Sequence, residues 1–158
     1  MKKKITFFLV TLVCLFFFFI FFKSIYKKNY YTPEKYTKNL VNFQARNLFT
    51  NEHFKSNQLF LDEKFTVINI WASWCIPCLQ EHKYLMSLKN NIDIYLVGLN
   101  YKDKEKNAKK FILENGNPYD IILIDNNGII SIELGAFGVP ETFIIQNKKI
   151  IKKYIGPL

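Results

Sequence analysis

No acidic residue precedes Glu34, histidine occurs only twice, and the chain has just three cysteines. Cys14 lies inside a phenylalanine-rich apolar run, so Cys75 and Cys78 are the single pair left to the rest of the chain. A disulfide-stapled secreted scaffold is thereby excluded. Zinc would need a second ligand pair, and His53 and His82 are the only candidates; His82, seven residues beyond Cys75, reads as a packed or surface histidine. No metal site is expected. Haem attachment would need a histidine after Cys78, where Leu79 stands. The net charge of +9 is lopsided, because Lys2, Lys3, Lys4, Lys23, Lys27 and Lys28 crowd the start without an acid among them. The remaining 16 basic and 13 acidic side chains are spread along the chain. With no basic stripe interleaved with aromatics, nucleic-acid binding is not expected.

What the chain has in plenty is phenylalanine, 16 in all, concentrated near the start. Residues 5–22 carry no charge, and as a helix they span about 27 Å, near the lower limit for a hydrocarbon core of roughly 30 Å. A cleavable signal peptide would have a shorter apolar core and a small-residue cleavage site. Here the run ends in Lys23, with no A-x-A pattern. The expected layout is a cytoplasmic tail at 1–4, a transmembrane anchor at 5–25, a tether at 26–40 and one domain at 41–158. Tyr26, Tyr30 and Tyr31 are placed near the interface. Three lysines on either side nearly balance the positive-inside rule, and the α-amino group tips it towards a cytoplasmic N-terminus.

Beyond the tether, a short strand or hairpin and a brief helix near 56–61 are expected within 41–60. Residues 65–70, F-T-V-I-N-I, read as a buried strand. In 79–89, Leu79, His82, Leu85 and Met86 recur at helical spacing. A second strand follows at 92–99, then an amphipathic helix at 103–115 with Ala108, Phe111 and Ile112 on one face and Gly116 ending it. A third strand at 119–124 closes in the turn 125–128, and a short helix follows at 129–134. Strands 141–145 and 150–155 form a terminal hairpin. This alternation predicts an α/β fold with a mixed sheet.

Cys75 and Cys78 stand where a strand passes into a helix, with Pro77 in the first turn, where a missing N–H is harmless. At a helix N-terminus, unpaired N–H groups and the dipole favour the Cys75 thiolate. A drop from about 8.5 to about 7 corresponds to roughly 2 kcal/mol. Cys78 lies one turn on, within disulfide reach. An exposed thiolate that attacks and a shielded partner that resolves suffice for dithiol–disulfide exchange. A purely structural bridge would close too short a loop to constrain the unfolded chain much. Glu81, one turn beyond Cys78, can set a carboxyl near the sulfurs: charged, it disfavours a thiolate; buried and neutral, it can accept or donate a proton.

The octapeptide W-A-S-W-C-I-P-C at 71–78 resembles the active-site motif of thioredoxin-fold oxidoreductases. Glu81-His82, N-Y-K-D at 100–103, G-N-P-Y at 116–119 and G-V-P-E-T-F at 138–143 narrow the likeness. Together they resemble the membrane-anchored thiol:disulfide interchange proteins of cytochrome c maturation, the DsbE/CcmG type. The likeness covers residues 65–156. It implies a thioredoxin-like fold with Pro140 cis beside the CxxC and the Val139 backbone pairing with substrate. Trp74 and Glu141 would stand on the substrate rim. Asn69 occupies the place of thioredoxin's buried aspartate, which leaves Glu81 as the titrating group. The terminal helix usual in such domains has no counterpart expected after residue 156.

The implied function is reduction of the CxxC disulfide of apocytochrome c, by a single-pass protein of the bacterial inner membrane whose domain faces the periplasm. A transmembrane thiol–disulfide reductase would supply the electrons, and the redox group would be the Cys75–Cys78 disulfide, without a separate cofactor. A general thiol–disulfide exchanger or oxidant, or a non-catalytic module that holds apocytochrome, are the alternatives.

Overall fold

A computed structural model describes residues 2–25, 35–60 and 64–158. The first unit contains one helix, α1 (Lys2–Ile25), about 36 Å long. Its Lys3–Lys23 stretch is long and apolar enough to cross a membrane. Thr11 turns its hydroxyl onto the Phe7 carbonyl at 2.7 Å, so its polar group is satisfied within the helix. The expected interfacial tyrosines, Tyr26, Tyr30 and Tyr31, lie outside the described residues.

The second unit is built on an eight-stranded mixed sheet in the order β1-β8-β7-β4-β5-β6-β2-β3. At its centre, β4 (Phe65–Trp71), β5 (Ile94–Tyr101) and β6 (Ile121–Asp125) run parallel. Their near-continuous apolar composition matches burial on both faces. The terminal hairpin of β7 (Glu141–Gln146) and β8 (Lys149–Ile155) adds antiparallel to β4. A second hairpin, β2 (Gln44–Asn47) and β3 (His53–Lys55), adds antiparallel to β6. It leads into a 3₁₀ turn at Ser56–Leu59, where the brief helix was expected; residue 61, its expected end, lies outside the described residues.

The tether expected over 26–40 needs correcting at its C-terminal end, since β1 (Lys35–Asn39) pairs antiparallel with β8. Its K-Y-T-K-N sequence shows no apolar alternation. Membership comes from backbone hydrogen bonds to an edge, which periodicity does not register. Residues 26–34 lie outside the described ones.

Helices cover both faces. α2 (Ile76–Leu88) and α3 (Glu105–Asn115) pack on one, where Leu85, Ala108, Phe111 and Ile112 meet Val67, Trp71, Leu96 and Ile122. α4 (Ile129–Leu134) and the 3₁₀ turn lie on the other, with Leu59 and Leu134 against Ile68, Val97, Leu123 and Phe143. Asp125 seats α4, accepting from Ser131 N at 2.9 Å and Ser131 Oγ at 2.6 Å.

α2 departs from the expected stripe. Its buried residues are Cys78, Glu81, His82 and Leu85, whereas Leu79 is half exposed. A carboxyl takes the inward place assigned to a leucine. His82 is packed, with Nε2 3.1 Å from the Gly116 carbonyl and its ring edge-on to Phe111.

Gly98 explains how this face closes. It stands opposite Asn69 in the β4–β5 register, and a Cβ there would come within 2.9 Å of the Trp71 indole and the Tyr119 ring. Those rings stack at 5.8 Å and fill the vacant place. Gly98→Ala should therefore destabilise the fold by about 1–3 kcal/mol, because neither flat ring has room to retreat. Urea denaturation checks this; an unchanged midpoint would show that the stack yields freely.

Candidate functional site

The turn from β4 into α2 carries the two cysteines. Cys75 is the N-cap, and its sulfur accepts the Cys78 N–H at 3.1 Å. Pro77 occupies the first turn, where no intrahelical donor is needed. The two sulfurs are joined in a disulfide. The expected contrast between an exposed Cys75 and a shielded Cys78 does not appear in this state, since they are 5% and 3% exposed. Both belong to the core cluster on the α2 side, against which Val139 packs. What separates them is position: Cys75 alone lies at the helix terminus with a backbone N–H on its sulfur.

Asp103 holds the turn from behind. Its carboxylate accepts from Ser73 N at 2.6 Å, Ser73 Oγ at 2.9 Å, Asn100 Nδ2 at 3.1 Å and Lys104 N at 2.8 Å. Trp74 adds a second tie, Nε1 to the Lys102 carbonyl at 3.2 Å, and the residue is 57% exposed. Ile76 and Phe137 are also exposed. Trp74, expected on the substrate rim, is one of these exposed side chains.

Glu81 is fully buried. Asn69 Nδ2 donates to its Oε1 at 2.8 Å and to Thr142 Oγ1 at 3.0 Å, while Tyr119 OH donates to Asn69 Oδ1 at 2.8 Å. Leu158 N donates to Glu81 Oε2 at 3.1 Å. Burial raises the Glu81 pKa above the ordinary carboxylate value, opposed by the hydrogen bonds from Asn69 and Leu158. Tyr119, wholly buried, is raised well above the usual phenol value by burial and by the charge of Glu81. A carboxyl raised towards neutrality, one turn from Cys78, suits proton exchange with a thiol.

The Val139–Pro140 bond is cis. Pro140 is buried and Val139 half-buried. Glu141 requires a correction. Expected on the rim, it is 1% exposed. Strand alternation sets it on the face of β7 opposite Thr142, away from Glu81. Lys153, 4% exposed, forms an ion pair with its Oε2 at 2.9 Å. Glu141 Oε1 accepts from Phe137 N at 2.7 Å and Gly138 N at 2.9 Å, and Lys153 Nζ donates to Gly135 O at 2.6 Å. The same ammonium lies 3.9 Å from the Phe137 ring centroid. Glu141 and Lys153 thus brace the loop that ends in the cis proline.

Sequence reasoning does not single out Asp103, Tyr119, Thr142 or Lys153 as site residues. One signal is available for Lys153: an acid beginning an apolar strand calls for a cation on the neighbouring strand. Among the described residues, no group of three or more His, Cys, Asp or Glu side chains could hold a metal ion.

The profile of the Redoxin family matches residues 42–157. The thiol:disulfide interchange protein DsbE of Haemophilus influenzae is 39% identical over 110 residues, covering 69% of this chain and 60% of the relative. The thiol:disulfide interchange protein CycY of Rhizobium leguminosarum bv. viciae is 42% identical over 95 residues, covering 60% of this chain and 51% of the relative. The chain thus spans between half and three fifths of the length of these two relatives. A secreted thiol-disulfide isomerase from Corynebacterium glutamicum shares the fold with a TM-score of 0.71 at 16% identity, over 84% of this chain and 87% of that one. With its paired cysteines at the head of a helix, its cis proline and this extent of match, the chain belongs to the Redoxin family, has a thioredoxin-like fold and is a homologue of the DsbE and CycY thiol:disulfide interchange proteins.

Proposed function

We propose that the chain is a membrane-tethered thiol–disulfide oxidoreductase that reduces the CxxC disulfide of apocytochrome c outside the bacterial cytoplasmic membrane. The observation that carries the chemistry is Cys75 as a helix N-cap, its sulfur receiving a backbone N–H while bonded to Cys78. Likeness to DsbE and CycY supports the exchange reaction, and α1 supports the anchor.

In the reduced protein the Cys75 thiolate attacks one sulfur of the substrate disulfide, and the other substrate sulfur leaves with the electron pair. Cys78 gives its proton to the Glu81 carboxylate and attacks the Cys75 sulfur. The Cys75–Cys78 bond forms, the mixed disulfide breaks, and the second substrate sulfur leaves as thiolate. Two electrons pass to the substrate, and a transmembrane thiol–disulfide reductase restores the dithiol. In this scheme Val139, before the cis proline, offers its backbone to the substrate strand, and Trp74 contacts substrate at the rim. Neither Glu141 nor Lys153 touches it.

Direction depends on potential. Thioredoxin-fold couples range from about −270 to about −120 mV, a difference of roughly 7 kcal/mol for two electrons. Reduced full-length protein mixed with an oxidised CxxCH peptide should yield free peptide thiols and oxidised Cys75–Cys78, read by alkylation and mass spectrometry. An equilibrium lying towards oxidised peptide would overturn the reductant assignment in favour of an oxidant.

A further inference from the structure

An asparagine amide has a donor end and an acceptor end, and on Asn69 the two serve different neighbours. Tyr119 OH donates to the oxygen at 2.8 Å, while the nitrogen donates to Glu81 at 2.8 Å and to Thr142 at 3.0 Å. All four residues are buried. The Thr142 hydroxyl can donate or accept, so it does not dictate which way the amide faces. Tyr119 supplies the asymmetry, because its proton needs an acceptor and the amide oxygen is the one it meets.

We propose that Tyr119 is a positioning residue, which through Asn69 keeps a donor turned to Glu81 and so holds Glu81 ready to take the Cys78 proton. The proposal rests on the exchange reaction proposed above. Without the phenol hydroxyl, the amide oxygen is left buried and unpaired for as long as the nitrogen faces Glu81. Turning the amide over relieves that, but it sets an oxygen against the carboxyl, which only the protonated acid tolerates. The anion must keep the first arrangement and bear its cost, whereas the neutral acid can take the second, so loss of the phenol hydroxyl shifts Glu81 towards its neutral form.

The surroundings of Glu81 leave few competing influences. α2 contributes Cys78 and His82, and the histidine Nε2 is engaged at Gly116 O. β4 and β7 contribute Asn69 and Thr142, which do not titrate in this range. The segment before β6 contributes Tyr119, whose raised pKa keeps it protonated. Leu158 contributes a backbone N–H. Among the described residues, Glu81 forms no ion pair.

The step under test is the second half of exchange. With Cys75 joined to a leaving group, the Cys78 S–H passes its proton to Glu81 and its sulfur bonds to Cys75, expelling the leaving thiolate. Reduced full-length protein treated with one equivalent of Ellman's reagent separates the halves, because each attack releases one thionitrobenzoate. Tyr119→Phe should leave the first release unchanged. It should move the pH midpoint of the second upward by about one unit and slow it about tenfold below that midpoint. Carbon-13 titration of the Glu81 carboxyl in the oxidised protein should show the same upward shift without any chemistry. In an Asn69→Leu background Tyr119→Phe should change neither readout further, whereas a merely structural tyrosine would still alter them. Wild-type midpoints in both measurements overturn the proposal. A wild-type protein that releases no second thionitrobenzoate overturns the exchange reaction instead.

Discussion

Cys75→Ser should abolish disulfide exchange, while Cys78→Ser should stop it halfway. The serine oxygen cannot form the mixed disulfide, so the first variant is expected to fall to the uncatalysed background, at least about a thousandfold below wild type. The second keeps the N-cap sulfur at the end of α2, attacks normally and accumulates substrate joined to Cys75. This difference decides between the two cysteines, because their burial in the disulfide state does not separate them. The reduced protein should accordingly be alkylated at Cys75 before Cys78, as peptide mass spectrometry after brief iodoacetamide treatment would show. In cells, cytochrome c assembly that persisted in the Cys75→Ser strain without added thiol would remove the catalytic reading and leave a module that only holds its partner.

Much of the fold is legible in the sequence, because its signals are local. The apolar runs of β4, β5 and β6, the helical spacing of Ala108, Phe111 and Ile112, and the Gly116 stop each lie within one element. The hand-over from strand to helix at Cys75 is of the same kind, since a buried run, a capping residue and Pro77 sit within a few positions. The cis state of Pro140 follows from family resemblance rather than from any physical signal in the residues.

What is not legible depends on long-range pairing. β1 is polar, and only the free edge of β8 makes it a strand. The inward turn of Glu81 is decided by Asn69 and Tyr119, 12 residues before it and 50 beyond Asn69. Leu79, the better hydrophobe, is left half outside. Helical periodicity ranks side chains by apolarity, so it cannot anticipate a carboxyl whose inward place is made by a hydrogen-bonding partner on another element. Glu141 is misplaced by sequence reasoning for the related reason that its counter-charge lies on the next strand. In the β8 sequence K-I-I-K-K-Y-I, beside another lysine, that lysine looks solvated.

The same buried pair sets the second large expectation. Removing one partner of a buried ion pair destabilises by about 3–5 kcal/mol, because the remaining charge keeps its desolvation penalty without compensation. Lys153→Met should therefore take a large part of the stability of a domain of this size, and the Gly135 carbonyl loses its donor as well. Glu141→Gln alone should be milder, since an amide oxygen can still accept from Phe137 N and Gly138 N, though the ammonium is then unpaired. The double variant should recover most of the Lys153→Met loss, because no buried charge is left on either strand. Urea denaturation of the four proteins closes the cycle. Simple additivity would show that the two groups do not act as a pair. Recovery of stability with a lasting rise in KM for a peptide disulfide would separate the brace on the 135–140 loop from its contribution to the fold: the amide introduced by Glu141→Gln still holds the two loop N–H groups, but the Lys153 bond from β8 to the Gly135 carbonyl is gone.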